Sequence, residues 1–228
     1  MQTTTLSTAA VLAATLLATG CAGLPAAQMA LPAPLAATQA ETLQGLDGRQ
    51  KGSFVLQALQ GRYERSASRL DLFGALAFDR VGAGYDARTP DGRTVQAGCR
   101  GRQTAARAGV LSGAPQPYEV LCRFGGAVSG TLTLAADGAA SALGTQAARS
   151  GRVEFGGTVL ALRSVHRVQG SPLPLEAPIG YVFTQDGRPV GAVELNGTPR
   201  LWRPAAGTPA HDAVTHAALA LALLWDPA

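Results

Sequence analysis

The amino-acid sequence predicts a mainly β domain, an antiparallel barrel closed around one hydrophobic C-terminal helix. Two observations carry this prediction. Short runs with strand character recur about every ten residues between tight-turn dipeptides, as in sandwiches and barrels. The chain then finishes on a helical segment, residues 208–225, that is apolar on nearly every side. A β-sandwich with a packed C-terminal helix is the alternative fold.

The C-terminal segment has the signals of a helix that is buried all round. Thr208 is a good N-cap, and Pro209 suits the first helical position, where a missing N–H costs nothing. From Ala213 onward only Thr215 and His216 are polar, and a helix that is apolar on every side must be buried on every side. The apolar run is about 13 residues, whereas a membrane span needs about 20. A flat sandwich would cover one side of this helix, but a closed barrel covers all of it.

Tight-turn dipeptides divide the middle of the chain into strands. Glycine accepts the positive φ that such turns need. The dipeptides are Asp47-Gly48, Asp91-Gly92, Asp137-Gly138, Asp186-Gly187 and Asn196-Gly197. The strand-like runs around them are 70–78, 81–88, 93–99, 118–124, 128–135, 152–155, 158–168, 181–185, 188–195 and 199–203. Residues 54–59 fit either a strand or a short helix.

The last third of the chain resembles a known family. A strand-like run Gly180-Tyr181-Val182-Phe183 precedes the Asp186-Gly187 turn, and Val190-Gly191-Ala192-Val193 and Leu201-Trp202 precede the apolar helix. This pattern is similar to the tubby-like barrels, which include the phospholipid scramblases and the LURP-one-related proteins. The resemblance implies about twelve strands around a hydrophobic C-terminal helix. It implies no function, because the phosphoinositide-binding residues of tubby have no counterpart that we can place.

The N-terminus predicts an export and lipidation signal, residues 1–20. Ala9–Ala18 form an apolar segment of signal-peptide length. The segment ends in Leu17-Ala18-Thr19-Gly20-Cys21, which resembles a bacterial lipobox and would make Cys21 the lipidated residue. The segment 1–7 lacks the Lys or Arg that is usual there, and an ordinary cleaved signal is the alternative. Ala22 after the cysteine favours the outer membrane, by resemblance to the enterobacterial sorting rule.

Residues 21–44 predict a Pro/Ala-rich tether between the lipid and the domain. Pro25, Pro32 and Pro34 would break a helix early, and the segment has no amphipathic face. The alternative is that the segment packs against the domain. The single barrel domain would then occupy residues 45–228.

The cysteine count predicts one disulfide. The chain has three cysteines, and lipidation of Cys21 would leave Cys99 and Cys122 as a pair in an oxidising compartment. The bond would close a loop of about 22 residues and contribute on the order of 3 kcal/mol. We expect the two residues on neighbouring strands, or on a strand and its adjoining loop, with Cα atoms about 4.4–6.8 Å apart. A metal-binding pair is the alternative, but no histidine lies nearby in sequence.

The histidines do not form a recognisable catalytic or metal-binding pattern. His211 and His216 are five residues apart, so on a helix they point in different directions. Asp212 and His216 could meet on one face, which would orient an imidazole for base catalysis, but the wet end of a buried helix is the simpler interpretation. His166 is interpreted as an outward strand residue. We therefore predict no catalytic, cofactor-binding or metal-binding residues, and no cofactor.

Two arginine clusters are the remaining candidates for contacts. Arg100, Arg102 and Arg107 follow Cys99, and a second cluster comprises Arg62, Arg65 and Arg69. Either could contact anionic lipid headgroups or lipopolysaccharide phosphates; solvated loops and strand edges are the alternative. The formal net charge of +4 comes almost wholly from arginine, and without a long basic run or interleaved aromatic residues it does not indicate nucleic-acid binding.

These observations lead to three functional hypotheses. The first is a lipid-anchored outer-membrane protein, on the periplasmic face, with a non-enzymatic binding or structural role and an envelope protein or anionic lipid as possible partner. The second is a carrier that holds a small apolar ligand in the barrel. The third is an enzyme without a recognisable motif. A cavity left by Leu221 and Leu224 lying outside the barrel would favour the carrier.

Overall fold

The computed structural model describes residues 27–72, 76–108, 111–138 and 147–224, and it describes the backbone alone at 105–108 and 111–116. Two helices and twelve strands are defined within these ranges. The helices are α1 (Ala33–Ala36) and α2 (Pro209–Leu223). The strands are β1 (Glu41–Thr42), β2 (Lys51–Leu56), β3 (Leu59–Leu72), β4 (Leu76–Arg88), β5 (Thr94–Ala108), β6 (Leu111–Gly126), β7 (Gly130–Ala136), β8 (Arg149–Phe155), β9 (Thr158–Val165), β10 (Gly180–Gln185), β11 (Arg188–Glu194) and β12 (Arg200–Trp202).

The strands form one antiparallel sheet that closes almost completely into a barrel. From β2 to β12 each strand pairs with the next strand in sequence, and β12 pairs with β1. A single bridge between Gln44 and Val55 then joins the end of β1 to β2. The barrel is therefore closed apart from a thin seam between β1 and β2. This confirms the predicted fold class, and the sandwich alternative is wrong.

The turn dipeptides differ in the length of the connections that they form between strands. Asp186 and Gly187 have φ of 50° and 76°, and they join β10 to β11 as the two-residue turn that their sequence predicts. Asp91-Gly92 instead lies within a longer connection between Arg88 and Thr94. The strand expected at 70–78 is wrong, because β3 ends at Leu72 and β4 begins at Leu76, so this range belongs to two antiparallel strands. Residues 54–59 span the end of β2 and the turn into β3 rather than a helix.

Helix α2 lies inside the barrel. The Thr208 hydroxyl accepts a hydrogen bond from the His211 backbone N–H (3.3 Å), as expected of an N-cap. The helix contacts strands from all round the ring, namely β3, β4, β8, β9 and β11. Leu219, Leu221 and Leu223 are all buried although they do not share one face, and Leu224 is half-buried against the same core. Trp225, the last residue of the predicted helix, lies outside the described residues.

The strands meet the helix with their inward side chains. Alternation along each strand separates the buried set from the exposed set. In β4, for example, Val81, Ala83, Tyr85 and Ala87 are buried, while the residues between them are exposed or half-buried. Large inward residues from other strands complete the core, including Phe54, Phe124, Leu132, Phe155, Leu160 and Phe183.

The N-terminal segment does not behave as a free tether between residues 27 and 44. Met29 and Leu35 are buried in a second apolar cluster on the outside of the barrel, with Ile179, Ala192 and Trp202. The Met29 backbone N–H also donates to the Glu194 carboxylate (2.9 Å). The packed alternative therefore describes this part of the segment. The predicted signal at 1–20, Cys21 and the start of the tether lie outside the described residues.

Of the helices that the structure describes, neither α1 nor α2 is both long and apolar enough to cross a membrane.

Candidate functional site: a groove on the outer face of the barrel

The disulfide identifies which side of β5 faces the core. Cys99 and Cys122 are bonded (S–S 2.08 Å) and directly opposite each other on β5 and β6, and both are buried. This confirms the predicted pairing. Their Cα atoms are 4.0 Å apart, slightly below the expected range. Since Cys99 points inward, its neighbour Arg100 must point outward, and Arg102 shares that face.

Arg100 and Arg102 line a long groove on the outside of the barrel. The groove has a volume of about 1650 Å³ and crosses seven adjacent strands, β2 to β8. At the strand spacing of about 4.8 Å it is roughly 29 Å long. A smaller groove of about 650 Å³ adjoins it, and Arg62 and Arg123 are among its lining residues.

Three outward glycines form the floor of the larger groove. Gly84 faces Gly98 across β4 and β5, and Gly82 faces Arg100. A Cβ atom built on Gly98 would meet no atom within 4 Å, so the space above this residue is open. The missing side chains leave the strand backbone accessible between the surrounding arginines.

The lining of this groove is strongly basic. Seven basic residues and two acidic residues line it, whereas the whole chain has 19 basic and 15 acidic residues. The positive charge is thus concentrated in one place. The seven are Lys51, Arg65, Arg80, Arg100, Arg102, Arg123 and Arg152, and the two are Glu64 and Glu119.

Three of the seven cations form ion pairs. Arg102 pairs with Glu119 (3.2 Å), Lys51 with Glu64 (3.3 Å) and Arg152 with Glu154 (2.8 Å). Within the part of the chain that the structure describes, Arg80, Arg100 and Arg123 form no ion pair. Arg80 also lies directly opposite Arg102 in the register of β4 and β5, and like charges at such positions destabilise a sheet.

The other predicted arginines have different surroundings. Arg107 lies on β5 opposite Ser112, and its side chain is not described. Arg69 pairs with the buried carboxylate of Asp79 (2.7 Å), which raises the pKa of Arg69 through the hydrogen bond and the opposite charge. Arg65 donates to the Arg49 carbonyl (2.9 Å). The second sequence cluster is therefore split, and Arg69 in particular has a structural contact.

His216 is buried in the core rather than at the wet end of the helix. Its ring lies between Tyr85 and Phe155 (centroids 6.1 and 5.0 Å away), and its Nδ1 is 2.9 Å from the Tyr85 hydroxyl. Burial lowers the pKa of His216 to about 4, so the imidazole is neutral at pH 7. Asp212 interacts with His211 instead (3.1 Å), and the Asp212–His216 pair considered from sequence does not form.

His166 corrects a second expectation, because it is buried rather than outward. Its Nδ1 is 3.1 Å from the Leu175 carbonyl, which can only accept, so Nδ1 carries the proton and Nε2 accepts from Ser164 (2.9 Å). The ring thus ties the loop at Leu175 to the end of β9. Alternation could have found this, since residue 166 has the parity of the buried Leu160 and Leu162.

Two buried charged residues, Arg149 and Glu194, were not predicted from the sequence. Arg149 lies over the Tyr118 ring (3.9 Å to the centroid) and donates to the Tyr181 hydroxyl (3.3 Å). Glu194 accepts from Arg200 and from the Met29 N–H. No local motif marks either residue, because each depends on neighbours distant in sequence. Over the described ranges, no group of three or more His, Cys, Asp or Glu residues is arranged to hold a metal ion.

Comparisons of the chain with protein-family models, with curated proteins and with solved structures found no match. The fold class of the protein is therefore assigned from its own structure. It is a nearly closed, twelve-stranded antiparallel barrel with a single C-terminal helix in its core.

Proposed function

We propose that this chain is a lipid-anchored outer-membrane protein that faces the periplasm and acts by binding partners on the outer surface of its barrel. The location of α2 is the observation that carries the binding mode. Because the helix occupies the middle of the barrel, the interior is filled with protein side chains. A ligand or partner must then bind on the outside.

The same observation weighs against the carrier hypothesis. A carrier barrel needs an internal cavity of several hundred Å³. Leu221, whose displacement would open such a space, is buried, and Leu224 packs against the core. The enzyme hypothesis has weaker support, because the buried His216 and His166 each contact structural partners rather than a groove.

The proposed anchor and the proposed tubby-like relationship rest on the sequence. The lipobox-like Leu17-Ala18-Thr19-Gly20-Cys21 follows an apolar segment. The strand and helix order of the last third is supported by a barrel of twelve strands with a C-terminal core helix. Because residues 27–44 pack on the barrel, the connection from Cys21 to Met29 is short and would hold the domain within about 25 Å of the membrane.

Labelling with palmitate, followed by membrane fractionation, tests this proposal. We expect the natural chain to take up label and to fractionate with the outer membrane, and the Cys21→Ala variant to lose the label. Cys122→Ala is the matched control, because it removes a cysteine without removing the proposed lipid site. Label retained by Cys21→Ala would exclude the proposed anchor.

A further inference from the structure

The larger outer groove differs from an ordinary solvated strand surface in three ways. Its cations are concentrated, Arg80 faces Arg102 as a like-charge pair, and three arginines have no ion pair among the described residues. Such an arrangement costs stability through mutual repulsion. A bound anion would remove that cost, which points to a ligand rather than to a structural role.

The shape of the groove argues for an extended ligand. It crosses seven strands over about 29 Å, and at its widest, along β5, it spans six residues, or about 17 Å. Its glycine floor lies below the level of the arginine side chains, so a flat bilayer would reach the rims and not the floor. A chain of about nine extended residues matches the length, at about 3.3 Å per residue.

The chemistry of the lining narrows the class of ligand further. Among the described residues that line the groove there is no Phe, Tyr or Trp, so it offers no ring on which bases could stack. Arginine presents a planar fork that matches a carboxylate with two parallel hydrogen bonds. The exposed Leu121 lies opposite Arg100, so apolar and cationic positions are neighbours.

The position of the groove on the barrel favours a partner from the periplasm over the anchoring membrane. The N-terminal segment covers the outer face around β11, and the groove includes β5, which is six positions away in the order of twelve strands. The two surfaces are therefore on opposite sides of the barrel. With the proposed anchor at Cys21, the groove would face away from the segment that leads to the lipid.

We propose that this groove binds an extended acidic peptide segment of a partner protein, with Arg80, Arg100 and Arg123 binding its carboxylates. This deepens the proposed surface-binding function and rests on it for the orientation relative to the membrane. The charge and shape arguments hold for the chain whether or not it is anchored.

Fluorescence anisotropy on the full chain in a non-ionic detergent tests the assignment. The probe is a fluorescein-labelled peptide of about nine alternating Glu and Ala residues, because about nine extended residues span the groove. A Gln–Ala peptide of the same length is the uncharged control. We expect saturable binding of the acidic peptide that weakens with salt, and none of the control peptide. Equal binding of both peptides would overturn the proposal.

Two pairs of variants locate the binding. Arg100→Gln with Arg123→Gln should weaken the affinity at least about tenfold, or about 1.4 kcal/mol. The control removes the same charge outside the groove, with Arg167→Gln and Arg188→Gln, both exposed. It should change the affinity less than about twofold, because salt screens exposed charges beyond about 8 Å. Equal losses in both doubles would mean non-specific attraction and would exclude the groove.

A variant that fills the floor of the groove tests the contribution of its shape without changing its charge. Gly98→Val adds a side chain in open space, so it should weaken binding several-fold while thermal unfolding stays unchanged. Ala161→Val, on the exposed face of β9, is the control and should bind normally. Unchanged affinity of Gly98→Val would overturn the placement of the peptide on the floor.

Competition identifies the class of partner. The competitors are unlabelled acidic peptide, polyphosphate and vesicles that contain phosphatidylglycerol. If polyphosphate or the vesicles displace the labelled peptide at a lower concentration of charge than the unlabelled peptide does, the groove binds phosphate polymers or membranes. Either result would overturn this proposal. If the acidic peptide does not bind but the natural chain takes up palmitate, the groove proposal is wrong and the proposed anchor is unaffected. Loss of label with peptide binding intact would exclude the anchor alone.

Discussion

The outer surface of this barrel has two opposite faces that differ in composition and in burial. Around β11 the outward residues Ala192 and Trp202 are apolar, and the N-terminal segment buries them with Met29 and Leu35. On β5 the outward residues that line the larger groove are Gly98, Arg100 and Arg102, and no described segment covers them. One sheet thus has one outer face that is part of a hydrophobic core and another that stays open to solvent.

The difference shows where stability and binding reside in the molecule. Burial of apolar side chains at the covered face contributes to folding at about 25 cal/mol per Å². The open face contributes little burial, and its charges repel one another. We therefore expect substitutions inside the barrel to have the largest effects on stability, those at the covered face intermediate effects, and those at the open face the smallest.

The largest effect is expected from Leu221→Asp in the core helix. Leu221 is buried inside the barrel, and a charge without a partner there costs several kcal/mol, comparable with the whole stability of a domain. We expect no cooperative thermal transition by circular dichroism. Val159→Asp is the control, since Val159 is exposed on β9; a folded Leu221→Asp protein would show that the helix is not the centre of the fold.

The next effect concerns the covered face and the Glu194 carboxylate. Glu194→Ala removes the acceptor of the Met29 N–H and the partner of Arg200, which is about one third exposed and can regain water. We expect a loss of about 2–3 kcal/mol, from a buried donor left unsatisfied and a broken charge-assisted bond. Urea unfolding measures it, with limited proteolysis to follow release of the N-terminal segment.

Glu154→Ala is the matched control on the open side. Its carboxylate pairs with Arg152 at 2.8 Å, but both side chains are more than half exposed, so the loss should stay below about 1 kcal/mol. Equal losses for the two variants would contradict the idea that the covered face is part of the core.

A third effect is a dependence of stability on pH through His216. Burial holds the pKa of His216 at about 4 in the folded protein against 6.5 for the free side chain, so the unfolded chain binds an extra proton between these values. Stability is therefore complete above about pH 6.5 and falls as the pH drops towards 4, by about 2 kcal/mol at pH 5.

Urea unfolding at several pH values measures this dependence. The His216→Phe variant should have a shallower slope, by about one proton, between pH 6.5 and 4.5. The Val159→Phe variant, at an exposed position of β9, changes no titratable group and should keep the natural slope. An unchanged slope in His216→Phe would assign the acid sensitivity to other groups.

The sequence predicted the features that depend on local patterns. An all-round apolar run predicted the core helix, alternation predicted the strands, and an even number of remaining cysteines predicted the disulfide. It did not predict that Met29 and Leu35 pack on the barrel, because single apolar residues between prolines have no periodicity. The groove could be predicted only in part. The outward direction of Arg100 follows from alternation, but its position near Arg123 and above Gly98 depends on the strand register.

The smallest effect is expected at the open face, and its sign distinguishes the two faces most clearly. Arg100→Glu places an acid on β5 near the cations Arg80, Arg102 and Arg123. If this face is kept basic for binding, the variant should be as stable as the natural chain, or more stable by up to about 0.5 kcal/mol at low salt, because repulsion is replaced by attraction between exposed charges. Added salt should remove the gain, since it screens exposed pairs. Urea unfolding at low and high salt measures the effect, with Arg188→Glu, far from the groove, as the control. A loss of more than about 1 kcal/mol in Arg100→Glu alone would show that Arg100 supports the fold, and the open face would then need no ligand to explain its charge.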